Sequence, residues 1–224
     1  AFAFEPLGEL TLKGKREPVP VHRLVGALRS PRPARGLETH GLVTPLVGRA
    51  GELRLMLDAF DRMRAGRAQV VSVIGEAGAG KSRLLHEFFA RLDEAGHLAT
   101  TAVRRAECSA LNQQTYGVIG ALLREAYALA PGDSLDAVRE KLGTGMRALG
   151  AGEDEVEIVV ALVGYLLGLE PDDARLRNLE PEQVERQIFL AARRLVERRL
   201  QHGPLILAVE DLHWAARASI ELLR

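Results

Sequence analysis

The segment Gly75-Glu76-Ala77-Gly78-Ala79-Gly80-Lys81-Ser82 constrains what this chain can fold into more than any other part of it. It fits the pattern G-x-x-x-x-G-K-[ST]. It lies between a short apolar, β-branched run, Gln69–Ile74, and a stretch of helical periodicity, Lys81–Glu94. Strand, glycine loop and helix in that order are what a phosphate cradle needs. Glycines let the main chain wrap tightly and turn its N–H groups toward an anion. A helix that starts near Lys81 aims its first amides and the positive end of its dipole at the same point. Lys81 supplies a mobile full charge for the β- and γ-phosphates, and Ser82 a hydroxyl for Mg²⁺. The candidate nucleotide-binding residues are therefore Gly75, Glu76, Ala77, Gly78, Ala79, Gly80, Lys81, Ser82 and the adjoining Arg83. The bland alternative is a glycine turn that only caps a helix. The scarcity of lysine in an arginine-rich chain argues against coincidence.

A second element is Leu205-Ile206-Leu207-Ala208-Val209-Glu210-Asp211. An apolar run that ends in two carboxylates reads as a strand delivering acids to its C-terminal edge, where open α/β sheets bind their ligands. One carboxylate can hold Mg²⁺, usually through water, while the other orients or deprotonates an attacking water. Glu210 is assigned to the metal, together with Ser82, and Asp211 to the water; on sequence alone the two acidic roles are interchangeable. Both acids are the candidate catalytic residues. His213 and Trp214 follow directly and read as packing. His213 has no second histidine or cysteine at ligand spacing, so the sequence supports no zinc site.

Around these motifs the chain alternates strand and helix signals. Leu53, Met56, Leu57, Phe60 and Met63 mark a helix over 50–65; further helices are expected at 117–130, 134–148, 154–168, 182–201 and 215–223. Gln69–Ile74, Leu98–Val103 and Leu205–Val209 read as buried parallel strands. The fold class that follows is α/β, a P-loop NTPase with a parallel sheet and flanking helices over 42–224. Ahead of it, Leu10–Leu12 and Val19–Val25 read as a short β-hairpin within residues 1–28, too small to be stable alone. The proline-containing, charged stretch 29–41 reads as a linker. Asn112, Gln113 and Gln114 read as polar loop residues.

Composition narrows the function classes. Thirty basic residues balance thirty acidic ones, so no general attraction to nucleic acid or an anionic membrane is expected. The single cysteine, Cys108, permits no internal disulfide and reads as a small, partly buried side chain. The longest apolar stretch, Ile158–Leu169, is too short to span a bilayer and reads as a buried helix. No signal peptide is recognised at Ala1–Leu12, and a cytoplasmic location is expected.

Leu46–Leu85 (LVGRAGEL, then VIGEAGAGKSRLL) and Arg186–Leu223 (through PLILAVEDLHW) resemble the signal-transduction ATPases with numerous domains, within the wider AAA-like P-loop class. In that resemblance Val47-Gly48-Arg49 is the entry motif near the base and phosphates. Arg49 thereby joins the nucleotide-binding candidates, with a solvated arginine at a helix start as the other reading. Leu10–Gly14 and Pro18–Leu24 resemble the last two strands of a class III adenylate/guanylate cyclase domain, which would make 1–28 its C-terminal tail; no cyclase catalytic residue can be assigned here.

The resemblance also has departures. Ala216 and Arg217 stand where many relatives carry Asp-Pro. In this class a further strand inserts between the P-loop strand and the acidic strand, and here the chain ends just past the acidic strand. A gap between Gln69–Ile74 and Leu205–Val209 is therefore expected, as is a fold incomplete at its C-terminus within a longer protein. The exposed strand edges are expected to favour self-association.

The resemblance implies a Mg-ATP-binding regulatory module in a cyclase-type signalling protein. Its ligands would be ATP (GTP less favoured) and Mg²⁺, and its partners the neighbouring domains of the same chain rather than nucleic acid or membrane. An ATPase module of a transcriptional regulator and a non-hydrolysing nucleotide-dependent scaffold are the competing readings.

Overall fold

Two units divide the chain, 1–47 and 48–224, and the computed structural model describes residues 2–10, 18–27, 46–110, 115–169 and 179–222 of them. In the first unit β1 (Phe2–Leu10) and β2 (Val19–Ala27) form an antiparallel hairpin. Its register runs from Leu10↔Val19 to Phe2↔Ala27, with irregularities at Ala3/Phe4 and Pro6/Gly8. Pro6 has no amide for the ladder, and Gly8 takes up the distortion at φ +90°. The described first strand thus extends well upstream of the expected start at Leu10. Alternation there is interrupted by the Pro6-Leu7-Gly8 bulge, which hides it from a periodicity test. Thr11, Leu12 and the linker 29–41 lie outside the described residues.

The second unit carries α1 (Ala50–Arg64), α2 (Lys81–Glu94), β3 (Ala102–Glu107), α3 (Gly117–Tyr127), α4 (Leu135–Ala148), α5 (Glu153–Leu166), α6 (Pro181–Gln201), β4 (Leu205–Glu210) and α7 (Arg217–Leu222). Each helix follows from its apolar spacing and its caps. Met56, Ala59 and Phe60 form the buried stripe of α1, and Leu84, Phe88, Phe89 and Leu92 that of α2. Phe60, Phe88 and Phe89 meet as edge-on pairs, with ring centroids 6.4 Å and 5.2 Å apart. Ser134 caps α4, its Oγ accepting from the Ala137 amide at 3.2 Å. Glu180 and Gln183 close a capping box on α6, with Pro181 at its first position.

The largest core lies among α3, α4, α5 and α6, where Val138, Leu142 and Met146 are wholly buried. In α5 every residue from Val159 to Gly164 is buried, which is why its apolar run has no polar face. Among the described residues no helix is long and apolar enough to cross a membrane. Arg198 of α6 donates to Glu155 of α5, Nε to Oε1 at 2.9 Å, and to the Gly150 carbonyl at 2.9 Å. Those bonds tie α6 to α5 and to the turn before it.

β3 and β4 pair in parallel, Ala102 with Leu205 through to Glu107 with Glu210. The strand expected at Leu98–Val103 therefore begins four residues later. Gly96, at φ +72°, opens a 3₁₀ turn over His97–Ala99 that uses up the first apolar residues. Arg104 and Arg105 disguise the true strand as a surface segment. Arg105 instead places its guanidinium 3.9 Å from the Phe89 ring centroid.

Gln69–Ile74 is not a strand. It has no regular structure and joins no sheet, leaving Val70 94% and Ile74 92% exposed. Extended chain becomes a strand only when a neighbour satisfies its amides and carbonyls, and among the described residues β4 has β3 on one edge only.

Candidate functional site

The loop before α2 is built on its glycines. Gly78 and Gly80 sit at φ +80° and +83°, and the Ala79 amide donates to the Glu76 carbonyl at 3.2 Å. Gly80 caps α2 in the left-handed region and has no side chain to satisfy the helix start. The first intrahelical bond runs from the Leu84 amide to the Gly80 carbonyl at 2.9 Å. The amides of the first turn therefore precede the helical ladder, the arrangement that suits an anion. Lys81 reaches back over the loop, Nζ donating to the carbonyls of Gly75 at 3.0 Å and Glu76 at 2.9 Å. Glu76, Ala77 and Ser82 are exposed, while Arg83 lies 3.8 Å from Glu87 one turn along α2.

Arg49, just before α1, bridges that helix to the loop. Its Nη2 donates to the Ala79 carbonyl at 3.1 Å and its Nη1 to Glu52 at 3.0 Å. A hydrogen bond from its own backbone, then the one from Arg49, holds the Glu52 carboxyl below its ordinary range. Arg49 thus meets the glycine loop at a main-chain carbonyl.

On the other side β4 delivers its acids as its apolar run implied. Glu210 is its last residue; Asp211 follows in the left-handed region at φ +54° and starts the 3₁₀ turn Leu212–Trp214. Such a conformation costs a non-glycine residue about 1–2 kcal/mol, and aspartate is among the residues that tolerate it best. A cleft of about 270 Å³ brings Lys81 and Ser82 together with Glu210 and Asp211; its apolar floor includes Phe60, Phe88, Val71 and Val73.

Sequence reading missed a third carboxylate. The register sets Glu107 of β3 beside Glu210, and the Cys108 amide donates to the Glu210 carbonyl at 3.0 Å. Burial first, then the negative charges of Asp211 and Glu107, push the Cys108 thiol up, away from the reactive thiolate. The signal that could have found Glu107 is its place at the C-terminal end of a strand, hidden by the misplaced start of β3. His213 and Trp214 pack ring against ring at 4.9 Å, on the surface rather than in the core. Asn112, Gln113 and Gln114 lie outside the described residues.

A model of the AAA ATPase domain family matches residues 45–224. The chain belongs to the AAA ATPase domain family. Nucleotide binding follows from that membership, usually with magnesium, and the parallel β3–β4 pair with flanking helices agrees with an AAA fold. The chain is also similar to an uncharacterized protein of Rhizobium meliloti (strain 1021), 29% identical over 228 aligned residues. That alignment covers 100% of this chain and 21% of the relative, so the chain spans about a fifth of the relative's length. No solved structure matches the chain.

Proposed function

We infer that residues 48–224 form a Mg-ATP-binding regulatory module of a longer signalling protein. The observation that carries this reading is the convergence of Lys81, Ser82, Glu210 and Asp211 on one cleft, although 128 to 130 positions separate the two acids from Lys81 and Ser82. Each group has a distinct task there. The loop amides and Lys81 hold the phosphates. The Ser82 hydroxyl and the Glu210 carboxylate are hard oxygen donors suited to Mg²⁺, which completes its shell with water and phosphate oxygens. When bound, the metal would neutralise the charge shared by the β- and γ-phosphates. Asp211, the next residue along and in the same cleft, would orient the attacking water. Arg49 holds the loop to α1, so α1 would report the loop's state to the chain before it.

The resemblance to signal-transduction ATPases supports a switch rather than a housekeeping enzyme. The hairpin's likeness to the end of a class III cyclase domain supports a cyclase-type protein as the setting. One observation favours a second reading: the exposed Gln69–Ile74 joins no sheet, so the phosphate loop lacks the strand support that turnover would need, as in a scaffold that binds nucleotide without turning it over. A strand seated between that segment and β4 would complete the sheet and favour turnover.

Equilibrium titration of the purified protein with ATP and with GTP, each with Mg²⁺ and with EDTA, tests the proposal. Metal-dependent binding that favours ATP is expected. Absence of binding by the folded protein would refute it. Binding without release of phosphate would select the scaffold.

A further inference from the structure

A second cleft, of about 510 Å³, is walled by α3, α4 and α6 and bounded by Arg104 of β3 and by Leu205 and Leu207 of β4. That volume falls within the range of small-molecule sites. Ile119, Leu123, Leu195 and Phe189 make its wall apolar, and Phe189 is still 40% exposed. The space depends on Gly145: a Cβ there would come within 2.7 Å of the Tyr127 ring, which lies against α4 in its place.

The polar groups of this cleft are unusual in kind. Arg193 is engaged with Glu197 at 2.7 Å. Arg104, half-buried, donates at 2.7 Å to the carbonyl of its own neighbour Val103. Neither Arg104 nor Arg199 has a carboxylate partner among the described residues, and the Tyr127 hydroxyl has no hydrogen-bond partner among them. The groups left over can all donate, two of them are cationic, and apart from the Arg193–Glu197 pair the surroundings are mostly hydrocarbon. Their complement is a hydrocarbon body with a single anionic, acceptor-only head.

The geometry points to a binding site for an amphipathic monocarboxylate, its acyl chain along α3 and α6 and its carboxylate met by Arg104, Arg199 and Tyr127. This site stands apart from the phosphate loop, so it neither requires nor tests nucleotide binding.

Laurate, dodecanol and dodecyltrimethylammonium share one chain length and carry anionic, neutral and cationic heads. Each is titrated calorimetrically, below its micellar concentration, into the purified protein. Laurate is expected to bind at one site about tenfold more tightly than dodecanol, the value of one charge-assisted hydrogen bond. Arg104→Gln or Arg199→Gln should erase that preference and leave dodecanol binding unchanged. Ala192→Trp, which fills the cleft, should abolish binding of both while the circular dichroism spectrum is retained. Equal affinity for the three probes, a laurate preference that survives both arginine changes, or no binding by the folded protein because another segment covers the cleft would each overturn the proposal.

Discussion

Replacing Lys81 with alanine separates the phosphate cradle from the fold that carries it. In the unliganded chain the lysine ammonium makes two hydrogen bonds, to the Gly75 carbonyl at 3.0 Å and the Glu76 carbonyl at 2.9 Å. Both acceptors lie in an exposed loop, so their loss costs at most about 1 kcal/mol. For a domain of this size that lowers Tm by about 2–4 °C. Nucleotide acts very differently on the two proteins. At 100 times its Kd, Mg-ATP adds about 2.7 kcal/mol of stability to the wild type, or about 5–11 °C. Losing a charged group that meets two phosphates weakens binding by about 100-fold or more. At the same nucleotide concentration the variant then gains only about 0.4 kcal/mol, or about 1 °C. Thermal melting of both proteins with and without Mg-ATP reads out the difference. If Lys81→Ala kept the full wild-type shift, the lysine would not touch phosphate and the cradle would have to be sought elsewhere. A folded wild type with no shift would refute nucleotide binding by this chain altogether.

Other consequences follow from the same geometry. Gly80→Ala meets open space but is held at φ +83°, so it should cost about 1 kcal/mol through the backbone alone and weaken ATP binding in a titration. Gly75→Ala, whose new Cβ would make only an ordinary 3.4 Å contact with Ala79, should bind normally; equal behaviour of the two variants would refute the strain argument. Glu210→Gln and Asp211→Asn should leave much of the binding intact while removing magnesium dependence or phosphate release. Asparagine is chosen at position 211 because it tolerates the left-handed backbone, and loss of most ATP binding in either variant would contradict the assigned roles. Finally, the hydrogen bonds from Arg198 hold the Glu155 carboxyl below its usual range. The folded pKa is depressed, so this pair's stabilisation is present above the unfolded carboxyl's pKa and is lost as pH falls through the folded one. Acid melting of wild type against Glu155→Gln should show the two Tm values converging at low pH, and a constant difference would exclude the linkage.

The glycine loop and the strand that ends in acids were legible because their backbone geometry is local. A glycine loop must adopt positive φ at particular places, a helix must begin at Lys81, and an apolar run ending in Glu210-Asp211 already states where its charges emerge. The helices were legible for a related reason: Phe88, Phe89 and Leu92 recur on one face whatever packs against them. What tertiary structure decided was pairing. Gln69–Ile74 has the composition of a buried strand, yet it stays outside the sheet because no neighbour among the described residues pairs with its backbone. The start of β3 is set by the amide of Ala102 meeting the carbonyl of Pro204 at 2.9 Å, a contact across a hundred residues that Leu98 cannot announce. The same register places Glu107 beside Glu210. Arg105 could pass for surface until Phe89 came to lie beneath it. Propensity, turn chemistry and caps depend on near neighbours and can be read along the chain. Strand register and shared clefts depend on partners distant in sequence, and only the folded chain identifies them.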